Sequence, residues 1–177
     1  MTVNTIAFIK LFYIAAIYIF RTMTAFTHTG VMMNDSIKET VLPEKLIAAY
    51  SDADYVVECD SYSFVMRIGS HSQEMDDILQ QHAATTMAII SAFNPLSNPT
   101  DEMINIQNTE KLGNELRQRF ISFKQGLSKS THGEWPEKNF IVIDIDLDTA
   151  KEIGKHYKQN AIVFYEKGGV AKLILLQ

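Results

Sequence analysis

The stretch FIVIDIDLDTAKEIGKHYKQNAIVFYEKGGVAKLILL, residues 140–176, carries the strongest secondary-structure signals in the chain. Three runs rich in β-branched, aromatic and leucine residues predict strands: residues 140–147, 160–165 and 170–176. Asp148 is a favourable N-cap and predicts a helix that ends at Tyr157. Lys167-Gly168-Gly169 predicts a hairpin turn. Because a hairpin follows the strand–helix pair, a strictly repeating βαβ array is excluded.

The part of the chain that precedes this stretch adds further helices and strands, and it contains no internal repeat. Helices are predicted at residues 43–50, 73–82 and 101–119, the second capped by Ser72 and the third by Thr100. Strands are predicted at residues 55–58, 63–68, 87–92 and, as an edge strand, 120–124. Polar loops are predicted at residues 94–99 and 128–136. The element order αββαβαββαββ predicts a single α+β domain over residues 33–177, with helices packed on a mixed or mainly antiparallel sheet.

Residues 1–32 differ in composition from the rest of the chain. They contain Lys10 and Arg21 but no acidic residue, and residues 11–20 are uninterrupted apolar sequence. Three interpretations stay open: a start codon assigned too early, a membrane anchor over residues 3–26, or a cleaved signal peptide. We expect contact with a membrane only if residues 3–26 form such an anchor.

Composition and charge narrow the class of protein. The chain has 177 residues, 46% of them hydrophobic, and a formal net charge of −5. From Met33 onward there are 14 basic and 21 acidic residues, so nucleic-acid binding is disfavoured. Cys59, the lone cysteine, has no partner for an intramolecular disulfide, which suits a reducing compartment. We therefore expect a soluble cytoplasmic protein, with membrane anchoring through the N-terminal segment as the alternative.

Several short motifs resemble those of a bacterial family of uncharacterised proteins, domain of unknown function 3293. The run AIISAFNPLS, residues 88–97, is similar to the family's TAWNP segment. Matches continue in order with Asn108 four residues before Leu112, with GEWPE at residues 133–137, and with Ala150. YKQNAIV, residues 157–163, is similar to the family's FGQNAIV. The resemblance covers residues 46–176.

The chain departs from the family pattern at a few positions. Phe93 stands in place of the usual tryptophan and Ser91 in place of the usual threonine. Phe93 keeps an aromatic surface but lacks the indole N–H donor. The resemblance implies a bacterial source and a start near Met33, and it implies no particular activity.

Polar and aromatic side chains gather at three predicted loop–strand junctions. The candidate ligand-binding residues are Ser91, Asn94, Ser97, Asn108, Glu134, Trp135, Glu137 and Gln159. Amides and hydroxyls can orient a ligand, paired carboxylates can transfer protons, and an indole can stack on a ring. Each group also has a structural interpretation, such as an Asx-turn at Asn94 before proline or a solvated acid at Glu134.

No metal or cofactor is predicted. Asp144, Asp146 and Asp148 would share one face of a predicted strand, as a cation site requires. The alternation of buried Ile and Leu between them accounts for the same pattern more simply. The five histidines lack metal-ligand spacing, and one cysteine cannot build a thiolate zinc site.

Three hypotheses for function remain open. The first is a small binding module that recognises a polar small molecule or a protein partner. The second is a small-molecule or nucleotide hydrolase whose acid or base is Glu134, Glu137 or His132. The third is a structural or interaction subunit that pairs with another chain through the hairpin at residues 160–177. The sequence identifies no catalytic residue, substrate or oligomeric state.

Overall fold

A computed structural model describes residues 42–132 and 134–177, so the interpretations of residues 1–32 fall outside the described residues. The helices are α1 (Glu44–Ser51), α2 (Gln73–Gln81), α3 (Glu102–Gln118) and α4 (Leu147–His156). The strands are β1 (Asp54–Glu58), β2 (Ser63–Met66), β3 (Thr86–Ser91), β4 (Phe123–Lys129), β5 (Glu137–Ile143), β6 (Ala161–Glu166) and β7 (Lys172–Leu175). A short 3₁₀ turn covers Pro95–Ser97. This order confirms the predicted αββαβαββαββ sequence of elements.

The seven strands form one curled sheet in the order β2-β1-β4-β5-β3-β6-β7, and every neighbouring pair is antiparallel. Beyond the end of β2, Ile68 forms an isolated parallel bridge with Ala171, which lies just before β7. Gly69 N donates to Ala171 O at 2.8 Å. The two edges of the sheet therefore meet at one corner. The α+β class with an antiparallel sheet is confirmed.

Both faces of the sheet are covered by helices. On the face inside the curl, α2 packs against side chains from strands across the sheet: Met75, Ile78 and Leu79 against Val57, Met87, Ile141 and Tyr165. On the outer face, α3 and α4 pack through Leu112, Leu116, Ala150 and Ile153 against Ala88, Ile90, Phe140, Val142 and Ile162. Successive residues of a strand serve opposite faces, which explains why β3 and β5 are apolar without alternation.

A buried carboxylate fastens α2 to the turn between β6 and β7. Asp76 is 9% exposed and accepts hydrogen bonds from Gly168 N at 2.9 Å, Tyr165 Oη at 2.7 Å and His71 Nε2 at 3.0 Å. Burial by itself raises the pKa of Asp76, but the hydrogen bonds outweigh it and hold the pKa below its usual value. The Gly168–Gly169 turn is thus bound to Asp76 of α2, which lies 92 residues before Gly168 in the sequence.

Two predicted helix caps are wrong by one or two residues. Asp101, not Thr100, caps α3 by accepting from Met103 N at 2.9 Å. Asp146, not Asp148, caps α4 by accepting from Thr149 N at 2.8 Å. The cause of the second error is that β5 ends at Ile143 and Asp144 takes a left-handed conformation, with φ 57°. The three aspartates therefore do not share one strand.

The strand predicted at the sheet edge is also wrong. β4 lies in the interior of the sheet, between β1 and β5, and runs on to Lys129. β5 begins at Glu137, so the predicted loop over residues 128–136 is shorter than expected. β4 was hard to recognise because its residues on the inner face are small or polar, notably Gly126 and Ser128.

Gly126 makes room for a buried amide on the neighbouring strand. Asn139 is 2% exposed, and its Nδ2 donates to Ser128 Oγ at 2.7 Å. Its Oδ1 is buried and accepts no hydrogen bond. A Cβ at position 126 would lie 2.4 Å from Asn139 Oδ1 and 2.8 Å from Val56 O. Glycine at 126 is therefore a steric requirement of the sheet.

We predict that Gly126→Ala lowers the free energy of unfolding by about 1–3 kcal/mol, the usual range for overpacking. Combining it with Asn139→Ala should recover part of this loss, because the amide oxygen no longer meets the new methyl group. Urea denaturation of the single and double variants measures both effects. Gln125→Ala, at an exposed neighbouring position, is the control, and equal stability of Gly126→Ala and this control would contradict the steric argument.

Candidate functional site

The loop after β3 has an unusual backbone. Asn94, Leu96 and Ser97 all take left-handed conformations, with φ of 43°, 55° and 56°. Asn94 also precedes Pro95, and proline disfavours helical conformations in the residue before it. Each non-glycine residue held in this way costs roughly 1–3 kcal/mol, so the surroundings must hold the loop in place.

The side chain of Asn105 on α3 supplies much of that support. Asn105 is 2% exposed, and its Oδ1 accepts from Asn94 N at 2.8 Å. In return its Nδ2 donates to Asn94 Oδ1 at 3.0 Å and to Thr100 O at 3.2 Å. Asn94 Oδ1 also accepts from Thr100 N at 3.0 Å. The paired amides therefore join the loop to the beginning of α3.

The remaining atom of the Asn94 amide points to a carboxylate. Asn94 Nδ2 donates to Glu137 Oε1 at 2.7 Å. Glu137 is half-buried and forms no ion pair with any described residue. Burial raises its pKa, and the hydrogen bond from Asn94 lowers it by less, so the pKa lies above its usual value.

A second set of hydrogen bonds holds the other end of the same loop. Ser97 Oγ is hydrogen-bonded to Tyr50 Oη. Asn160, 5% exposed, donates from Nδ2 to Ser97 Oγ at 3.0 Å and to Tyr50 Oη at 3.2 Å. Tyr55 Oη donates to Tyr50 O at 2.8 Å. We call the combined network the polar corner; its residues are Tyr50, Asn94, Ser97, Asn105, Glu137 and Asn160.

The register of the strands explains why Glu137 lies at a polar end of the sheet. Ser128 is paired with Tyr55 on one side and with Glu137 on the other. Asn139 is paired with Ser91 at the end of β3. Directly paired residues share a face. One end of the inner face is therefore polar, while the rest of that face packs on α2.

The structure brings three of the predicted site residues into the polar corner: Asn94, Ser97 and Glu137. Gln159 lies beside it and binds main chain, since its Nε2 donates to Phe93 O at 3.1 Å and to Tyr157 O at 3.3 Å. Ser91 Oγ likewise binds main chain, donating to Lys138 O at 2.8 Å. These two predicted residues thus shape the fold around the corner.

The other predicted residues lie outside the network. Asn108 is one helical turn beyond Asn105 and is half-buried. Glu134 and His132 are exposed in the β4–β5 loop. Trp135, 62% exposed, has a left-handed backbone with φ 52° and stands two residues before Glu137. Their function stays a prediction.

Sequence reasoning missed Tyr50, Asn105 and Asn139, whereas it treated Gln159 and Asn160 as a polar pair that could bridge two elements or bind a ligand. Asn105 had a usable signal, because it shares a helix face with Asn108. Tyr50 and Asn139 had none, since their roles depend on partners in other elements.

Three further observations bear on the kind of site. Among residues 42–132 and 134–177, no group of three or more His, Cys, Asp or Glu side chains could hold a metal ion. None of the helices in these ranges is long and apolar enough to cross a membrane. A depression of about 250 Å³ lies at the opposite end of β5, lined by His82, Phe120, Ile121, Ser122, Ile143 and Asp144. It contains none of the polar corner.

The family comparison agrees with the motifs. The family described as "Protein of unknown function (DUF3293)" matches residues 90–162, a range that includes Asn94, Asn105, Glu137 and Asn160. The resemblance found in the sequence is therefore confirmed. No curated protein and no solved structure matches the chain.

We predict that Asn105→Ala lowers the free energy of unfolding by about 1–3 kcal/mol, because it leaves the Asn94 N–H and the Thr100 carbonyl without their partners. Asn108→Ala, on the same helix one turn later, should change it by less than about 0.5 kcal/mol. Thermal and urea denaturation of both variants provides the measurement. If the two variants lost equal stability, the paired amides would not be what supports the loop.

We predict that ionisation of Glu137 opposes folding. Its pKa is higher in the folded protein than in the unfolded chain, so the folded state binds more protons between the two values and the free energy of unfolding falls as the pH rises through that range. Glu137→Gln should be at least as stable as the wild type at pH 7. Its stability should also vary less as the pH rises above about 4.3, the ordinary pKa of glutamate.

Urea denaturation at a series of pH values measures this difference. Glu110→Gln, an exposed acid on α3, is the control and should follow the wild type. A loss of stability in Glu137→Gln at pH 7 would contradict the prediction, because it would mean that the ionised form stabilises the fold.

Proposed function

We propose that this chain, whose residues 90–162 match the DUF3293 family, is a small binding module that recognises a polar small molecule at the polar corner. The observation that carries the proposal is the Glu137 carboxylate, which is half-buried, held by one hydrogen bond and free of any ion pair with a described residue. Buried charges are normally paired, and an unpaired one at a strained loop is typical of a functional site.

The strained loop supports the same conclusion. Left-handed residues at Asn94, Leu96 and Ser97 are energetically unfavourable, and strained conformations of this kind cluster at ligand-binding and active sites. The paired amides of Asn94 and Asn105 fix the direction of the Nδ2 group that holds Glu137. A carboxylate positioned in advance binds a ligand without the loss of freedom that a mobile side chain would incur.

We place this activity in the cytoplasm. The proposal rests on Cys59, the lone cysteine, and on the acidic composition from Met33 onward. A protein partner, bound through the Asn94 loop, Trp135 and Gln159, remains the other form of the binding hypothesis. Pairing of another chain with the hairpin that ends in the edge strand β7 belongs to the interaction-subunit hypothesis.

A hydrolase is the second candidate, and one observation favours it. Burial raises the pKa of Glu137, and a carboxyl group with a raised pKa is suited to general acid or base catalysis. Glu137 replaces Glu134 and His132 as the preferred group, because both of these are exposed in the loop. The hydrolysis hypothesis requires turnover, whereas the binding module requires only affinity.

We predict that small polar fragments perturb the amide resonances of residues 94–97 and 137–139 in the full chain. The probes are acetamide, glycerol, imidazole, acetate, phosphate and butylammonium, each titrated at millimolar concentration and followed by ¹⁵N–¹H NMR. At least one should bind, and Glu137→Ala should weaken that probe about tenfold or more, the effect of losing a charged hydrogen bond.

Glu110→Ala is the matched control and should bind as the wild type does. If no probe perturbs the corner, the binding proposal is wrong. If Glu137→Ala leaves affinity unchanged but abolishes a measured hydrolysis rate, the enzyme hypothesis takes its place.

A further inference from the structure

Each side-chain amide nitrogen of the polar corner already has an acceptor within the network, whereas its carboxylate has acceptor capacity to spare. Both amide nitrogens of the Asn94–Asn105 pair donate within the network. The Nδ2 of Asn160 donates to Ser97 and Tyr50. Glu137, by contrast, accepts one hydrogen bond, while an ionised carboxylate offers about four lone-pair sites.

A second unused acceptor lies nearby on the same strand. Asn139 stands two residues after Glu137, so the two side chains share the inner face of β5. Its Oδ1 is buried and accepts no hydrogen bond. Burial without a partner is unfavourable for an amide oxygen, and a positive charge close by would offset part of this penalty.

The electrostatic surroundings favour a positive ligand. No described Lys, Arg or His forms an ion pair with Glu137. Tyr55 pairs with Ser128, which pairs with Glu137, and Trp135 stands two residues before Glu137, so both aromatic residues lie at this end of the sheet. A carboxylate with no ion-pair partner among the described residues is suited to the N–H donors of an ammonium group.

We propose that the polar corner takes a cationic ligand of the organic ammonium class, whose N–H groups donate to the Glu137 carboxylate. Glu137 makes the contact because it is only half-buried, and the buried Asn139 Oδ1 adds a further unpaired acceptor dipole on the same face of β5. This inference rests on the proposed binding function and specifies its ligand.

Three probes with the same carbon chain and different head groups test the inference: butylammonium, butan-1-ol and butyrate. Each is titrated into the full chain at constant ionic strength, and the amides of residues 94–97 and 137–139 are followed by NMR. Butylammonium should bind at least tenfold more tightly than butan-1-ol, and butyrate should leave these amides unchanged.

Variants identify the group responsible. Glu137→Gln keeps the shape and the hydrogen bond to Asn94, and it should weaken butylammonium binding at least tenfold, to the level of butan-1-ol. Glu110→Gln, which removes an exposed charge on α3, should bind butylammonium as the wild type does. Equal loss in both variants would mean that net charge, rather than Glu137, attracts the probe, and would overturn the inference.

The remaining outcomes separate this inference from the proposed function. If butan-1-ol or butyrate binds as tightly as butylammonium and depends on Glu137, the corner is a binding site but not one for cations. If none of the three binds while another of the polar fragments does, the cation preference alone is wrong. If no fragment of either set perturbs the corner, both proposals are wrong.

Discussion

The paired amides of Asn94 and Asn105 are the interaction on which the polar corner depends. They satisfy main-chain groups on both sides of a loop that contains three left-handed residues, and they leave one N–H of Asn94 directed at Glu137. No ion pair among the described residues takes part. The arrangement is therefore specified by hydrogen-bond geometry, which tolerates substitution poorly because each amide has two different ends.

The Glu137 carboxylate lowers the stability of the folded state at neutral pH. Burial raises the pKa of Glu137, so its ionised form at neutral pH costs the folded state stability that a glutamine would not cost. Natural proteins accept such penalties where activity requires a strained or unpaired group. The polar corner contains both kinds of penalty within a few residues, whereas the apolar core on α2, α3 and α4 contains neither.

The sequence predicted the fold better than the site. The order of helices and strands followed from apolar periodicity and turn residues, since these act over short distances. The position of β4 did not follow from such local signals. Its inner residues, such as Gly126, are determined by contact with Asn139 on a neighbouring strand, and they form no apolar pattern of their own. The same holds for the site: Asn94 and Glu137 stood out locally, but Tyr50 and Asn105 matter only through partners 47 and 11 residues away.

The bridge between Ile68 and Ala171 also bears on how copies of this chain behave toward one another. Unpaired strand edges are templates for association, and open antiparallel sheets usually protect them with charge or proline. Here both edge strands, β2 and β7, are four residues long, and the chain beside each is already hydrogen-bonded to the other at their shared corner. An incoming strand would find only a short template on either side, so the curl of the sheet itself limits fibre-like polymerisation.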